Sequence, residues 1–375
     1  MNKKIVYLIL SLALLAGPEG LFAFESEDIE WGVCAFFKQT YDDNITSAKK
    51  NEQDDFVTEL RLVLDGKLEQ KTEAITLRAG LAHQFFYDHD SFDNTSEDIN
   101  LEYIKEFSPY SRMRLENYFR HDYEPETFAE ELGRTSGRYS YYKNRFSAEY
   151  SKDITKQLSL IADYGFDLDD ISRSGQSDSY LHRLGLGTQY FLSSTMILFS
   201  GYDFSYRKFD PGTHSTSHLF SAGLRDYFTP QLYIDAKIGG QFLRNYNKES
   251  YVKPYLFLKL TDELDAVTTA GLSFTKQYYT NAYTEDLFDY WQVQAELAKQ
   301  VYERLGLDFS LFYGEGTYTG LDIKDKVKGA QLGLSCELKE NISGTVSYRY
   351  SETESSLESR EYTRNRIAFG IQTLF

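Results

Sequence analysis

The chain has 375 residues, with 57 acidic against 40 basic side chains and a formal net charge of −17. That balance excludes nucleic acid as a partner, because polyanions are held by Lys and Arg. Six prolines and three methionines stand against 31 tyrosines and 27 phenylalanines, a composition that points to strands, where aromatic rings fit a pleated, half-buried surface.

Lys3 and Lys4 open the chain, an apolar run follows from Ile5 to Ala16, and Pro18 and Gly20 precede Ala23. This is the layout of a secretory signal peptide. The apolar run is about a dozen residues, short of the roughly 20 that a spanning helix needs. The expectation is a signal peptide over 1–23, cut near Ala23, and one domain over 24–375. The mean hydropathy is −0.49. A polar average with so many aromatics suits either a secreted β-sandwich or a transmembrane barrel.

Past Ala23, period-two alternation recurs. It is clearest from Leu158 to Leu168, where Leu158, Leu160, Ala162, Tyr164, Phe166 and Leu168 share one face. Similar patterns occur over Tyr180–Leu192, Leu232–Phe242, Leu305–Tyr313 and Ile342–Tyr350. Strict alternation argues for strands that meet apolar material on one side only. Short turns are expected near Asp65–Lys67, Pro109, Lys152–Lys156, Ser193–Ser194, Pro230, Thr261–Leu264, Tyr302–Arg304 and Lys339–Asn341. Longer acidic links are expected at Asp42–Asp55, Asp88–Asp98, Glu124–Gly137, Asp169–Asp178 and Glu352–Glu361. Counting between them gives about eighteen strands, with sixteen as the alternative, an even number as an outer-membrane barrel requires. A sandwich has no need of short links at one end and long ones at the other. The expected fold is therefore all-β: a single up-and-down transmembrane antiparallel barrel in a bacterial outer membrane.

Thr284–Gly306 also reads as an amphipathic helix, but the even count favours a strand. Thr363–Phe375 is expected to be the last strand and to pair with the first, about Trp31–Tyr41, because a sheet in lipid can leave no edge unpaired. Cys34 falls on the polar face and Cys336 on the apolar face. Side chains on opposite faces cannot bring their Cβ atoms within the 3.5–4.5 Å a disulfide needs, so both read as packing residues.

The predicted inner faces carry Arg61, Arg78, Arg183, Arg207, Arg225, Arg349 and Arg366, and a tighter basic cluster of Arg112, Arg114 and Arg120 on one strand with Lys143 and Arg145 on the next. Interleaved with them are Glu102, Glu116, Glu149, Asp163, Asp167 and Asp235. Two readings stay open: a basic track for an anionic solute, since stripes of Lys and Arg favour anions in a pore, or a ladder of cross-strand ion pairs that stiffens the wall. The acidic groups Asp88–Asp98, Asp122–Glu131 and Glu352–Glu361 are expected to form an outer rim beside lipopolysaccharide. Glu124–Gly137 is the candidate for a loop folded into the bore.

Enzyme motifs are weak. His214 and His218 would lie about 13 Å apart on a strand, too far for one zinc. His121–Asp122 could imitate a base and its orienting group, yet no GxSxG, HExxH or phosphate loop accompanies it. Neither a metal nor a cofactor is expected. A membrane-embedded hydrolase using His121 is kept as a minor alternative to a channel, and a plugged or adhesive barrel acting through its acidic loops as another.

The ending ENISGTVSYRYSETESSLESREYTRNRIAFGIQTLF, with Tyr348, Tyr350, Tyr362, Asn365 and the closing Phe369–Phe375, resembles the putative β-barrel porin family of outer-membrane proteins. Some of that family are associated with exopolysaccharide export. The resemblance implies a channel or conduit for hydrophilic solutes or a secreted polysaccharide, with no catalytic residues and no cofactor. It also implies that the terminal Phe375 acts as a signal to the barrel-assembly machinery.

Overall fold

A computed structural model describes residues 29–173, 176–210, 212–244, 249–280 and 285–375. The expected signal peptide over 1–23 lies outside the described residues. The first strands are β1 (Glu30–Asp42), β2 (Asp55–Glu69), β3 (Glu73–Phe86), β4 (Asn94–Ser108), β5 (Ser111–Asp122) and β6 (Tyr141–Asp153). Next come β7 (Leu158–Ile171), β8 (Ser179–Phe191), β9 (Met196–Phe209), β10 (His214–Tyr227), β11 (Leu232–Arg244) and β12 (Ser250–Asp265). The last six are β13 (Thr268–Thr280), β14 (Leu287–Tyr302), β15 (Leu305–Tyr318), β16 (Lys324–Lys339), β17 (Ile342–Ser355) and β18 (Tyr362–Leu374). Sequence neighbours pair antiparallel throughout, and β1 pairs with β18, so the 18-stranded sheet closes on itself. The seam is hydrogen-bonded to its end: Phe375 N donates to Val33 O at 2.8 Å.

The alternation read from the sequence is the inside–outside alternation of this wall. Leu184, Leu186, Ile238, Leu258, Leu272, Phe369 and Ile371 are exposed on the outer face. An exposed apolar surface that continues around the molecule is a membrane-facing surface. Strands of 12 to 16 residues exceed the 9–11 needed to cross lipid, so the wall extends past the hydrocarbon. Links of two to four residues lie at the rim where β1 begins and β18 ends; most longer links lie at the other.

The described part of the Thr284–Gly306 stretch, from residue 285 to Gly306, forms no helix: β14 spans most of it and puts Trp291, Val293 and Leu297 on the outer face. Two expected turns are absent. Asp65–Lys67 lies inside β2, where Gly66 faces outward beneath the Trp31 ring; a Cβ there would come within 2.6 Å of the ring. The glycine is a seat for an aromatic ring, not a turn. Thr261–Leu264 lies inside β12, which continues past a register shift between Asp262 and Asp265. Both cysteines are free, Cys34 buried and Cys336 half-buried.

Candidate functional site: the lumen and its inward loop

The link between β5 and β6 contains Thr127-Phe128-Ala129-Glu130, and it folds into a single helical turn, α1 (Phe128–Glu131). The Thr127 side chain accepts from Glu130 N while Glu130 accepts from Thr127 N, which is a capping box. This turn does not sit at the rim. It crosses the bore to β15–β17, on the far side of the barrel from β5 and β6. Phe128 stacks on Phe312 with ring centroids 5.8 Å apart and lies 4.3 Å beneath the Arg349 guanidinium. Gly329 makes the seat, because a Cβ there would collide with the Phe128 ring.

Charge completes the docking. Glu131 accepts from Arg349 at 2.7 Å and from the Tyr362 hydroxyl at 2.5 Å. Glu124 accepts from Arg364 at 2.9 Å, from Arg366 at 2.7 Å and from Arg138. Glu130 accepts from Lys143 at 2.6 Å and stands 3.8 Å from Arg145, and Glu126 accepts from Arg120 at 2.6 Å. Burial alone would raise the Glu130 carboxyl, but the Lys143 ammonium outweighs it and holds the group down at about 2. Burial pushes Glu124 the same way, and Arg364, Arg138 and Arg366 outweigh it, leaving that carboxyl well below the usual range. The acidic group Asp122–Glu131 is thus not an outer rim; its carboxylates turn inward to neutralise wall cations. The Glu352–Glu361 group is also neutralised locally, through Lys328, Lys49 and Lys50.

The register places all five residues of the basic cluster on the inner face, with Arg120 opposite Lys143. They do not form a continuous track. Arg114 is held by Glu102 at 2.5 Å and Glu116 at 3.3 Å, Arg120 by Asp122 and Glu126, and Lys143 by Glu130, with Arg145 standing 3.8 Å from the same carboxylate. Arg112 is exposed near the short-link rim. The other expected lumen arginines also face inward beside carboxylates: Arg61 with Asp98, Arg78 with Asp65 at 3.7 Å, Arg183 with Asp167 at 3.0 Å, Arg207 with Asp169 at 3.1 Å and Arg225 with Asp235 at 2.7 Å. Arg349 and Arg366 bind the loop. Arg138 and the capping box were in the sequence but gave no sign of their part, since their partners lie across the bore.

The loop divides the long-link half of the lumen. On one side lies a cavity of about 420 Å³ lined by residues of α1, β6–β11, β13 and β14, including Lys143, Arg145, Arg183 and Arg207. On the other lies one of about 290 Å³ lined by Arg61, Arg78, Asp98 and Arg120. Over both, the long links are tied together: Gly137 N donates to Thr46 O, Ser136 N to Ser359 O, and Ser177 and Thr213 hydroxyls to Glu285. His121 faces outward, its Nδ1 2.5 Å from Glu97 and its ring stacked on Tyr142 at 4.2 Å. Phe375, at the short-link rim, is exposed.

Residues 287–375, covering β14–β18, match the family model described as Putative beta-barrel porin 2. No curated protein matches the chain by sequence. Among solved structures, the chain is similar to OccK2 (OpdF) of Pseudomonas aeruginosa, at 11% identity over 93% of this chain and 98% of that one, with a TM-score of 0.52. It is also similar to the outer membrane protein opdK of Pseudomonas aeruginosa, at 10% identity over 93% and 99% of the two chains, with a TM-score of 0.50. Identities this low speak for the shared fold alone. By that fold the chain is a closed 18-stranded β-barrel similar to those of outer-membrane porins, and its last five strands match the porin family model.

Proposed function

We propose that the protein is an outer-membrane channel for small hydrophilic solutes, with a bore narrowed by the loop over 123–140 and a lumen that favours anions. One observation carries the reading: four arginines of the wall stand further into the bore than the carboxylates beside them. The side chains of Arg78, Arg145, Arg114 and Arg183 are about half exposed, at 51%, 49%, 49% and 53%, while Glu130 and Asp167 are 19% and 11% exposed. A solute passing these four positions meets guanidinium edges before the carboxylates that hold them, although the whole protein is acidic. An 18-stranded barrel is wide enough for an aqueous channel, and the docked loop leaves spaces suited to small solutes. A secreted polysaccharide would need the loop displaced.

The tied links at the long-link rim favour a second reading, a plugged barrel that acts through its loops. Swelling of proteoliposomes separates the two. The channel reading expects swelling in a monosaccharide, faster in a monocarboxylate of the same size, and much slower in a trisaccharide. No swelling in any solute, with the loop docked or released, would leave only the plugged barrel.

A further inference from the structure

We infer that the cavity between the loop and β6–β11, β13 and β14 is a binding site for a small hydroxylated carboxylate, a sugar acid, with Arg145 and Arg183 as the carboxylate-facing pair. The inference rests on the channel reading and deepens it. At about 420 Å³, the space lies within the range of small-molecule pockets.

Its charge is arranged in depth. Asp167, across the strand pair from Arg145, accepts both its hydrogen bonds from one nitrogen, Nη2 of Arg183, at 3.0 and 3.1 Å. The remaining Arg183 nitrogens are not spent on that carboxylate. Gly165 lets the Arg183 side chain lie flat across the wall, since a Cβ there would press within 3.1 Å of its Nε. Arg145 touches Glu130 only at 3.8 Å, too long for a hydrogen bond. Glu130 spends its close contact on Lys143 at 2.6 Å, and Asp169 spends its own on Arg207 at 3.1 Å. Lys143 and Arg207 are therefore consumed in holding the wall, with side chains only 10% and 8% exposed. Arg145 and Arg183 keep open N–H edges. A guanidinium edge matches a planar carboxylate with two parallel hydrogen bonds.

The rest of the lining suits a polyhydroxylated body. Ser205, Gln277 and Thr280 offer hydroxyl and amide groups, and Leu132, Leu181 and Leu287 supply apolar surface for C–H faces. A ligand that is only an anion would leave the first set unused, and a neutral sugar would leave the arginine edges unpaired.

The test is calorimetric titration of the full-length protein in detergent with gluconate, glucose and inorganic phosphate. Gluconate is expected to bind, glucose at least roughly ten-fold more weakly, from the loss of charge-assisted hydrogen bonds. Arg145→Ala and Arg183→Ala should each weaken gluconate roughly ten-fold or more. Arg145→Lys, which keeps the charge and the packing stem, should fall between, showing that the two-pronged edge matters. Retention of the folded band on unheated gels confirms that each variant is still a barrel. The proposal is overturned by absence of gluconate binding, by binding that neither alanine variant changes, or by phosphate displacing gluconate with equal affinity. Ion conductance without gluconate binding would sink the site and leave the channel reading intact. Gluconate binding without conductance would support the site and sink the channel.

Discussion

At the scale of single residues, the lumen is a set of ion pairs in which depth matters more than the count of charges. At Arg78, Arg114, Arg145 and Arg183 the carboxylates lie behind the guanidinium groups they hold, whereas at Arg120 the order reverses, because Glu126 is the more exposed partner. The same depth governs the loop. Glu130 is held at about 2, with burial working against ionisation and Lys143 outweighing it, while a free glutamate titrates near 4.3. The docked loop thus binds fewer protons than the free one. Its ionisation contributes docking free energy that is fully present above about pH 4.3 and is lost as the pH falls toward 2, on the order of 3 kcal/mol for this group. Glu124 shifts in the same direction. Channel current is expected to hold steady from about pH 8 to 5 and to rise below about pH 4 as the loop lets go. A rise already complete between pH 8 and 6 would contradict this assignment of the latch.

At the scale of elements, α1 and its loop are a separable part mounted on a rigid wall. Phe128 is 7% exposed and fills the seat over Gly329. Replacing a buried Phe by Ala costs about 3–5 kcal/mol, here a loss of docking rather than of strand pairing. Phe128→Ala is expected to raise single-channel conductance severalfold while leaving the barrel's unfolding temperature within a few degrees. An unchanged conductance would show that the loop does not narrow the path. Gly329→Leu should give the same phenotype from the opposite side of the contact. The strands themselves were legible in the sequence because lipid and water impose period two, and the faces assigned to Arg112, Arg114, Arg120, Lys143 and Arg145 follow from it. Gly66 and the Thr261–Leu264 stretch misled because a glycine under a ring and a register shift look like turns in one dimension. The direction of the loop was legible only as a candidate. Its capping box is local, but what pulls it inward is Arg349, which is 218 positions from Glu131.

At the scale of the whole molecule, 18 strands close through β1 and β18, and every property above depends on that closure. A greasy outer face and an ion-paired inner face can coexist in one thin wall only if the sheet has no edge in lipid. The acidic total of −17 says little about what the bore prefers, because the Asp122–Glu131 group is folded against wall cations and the Glu352–Glu361 group is paired with lysines. The most direct measurement is the current through the purified protein in a planar bilayer, recorded for the native chain and for one with residues 125–137 replaced by a short turn. Discrete current steps are predicted for the native chain, larger steps for the shortened one, and a reversal potential in a salt gradient that favours the anion in both. A bilayer that stays silent with both proteins, although both run as folded barrels, would contradict the account.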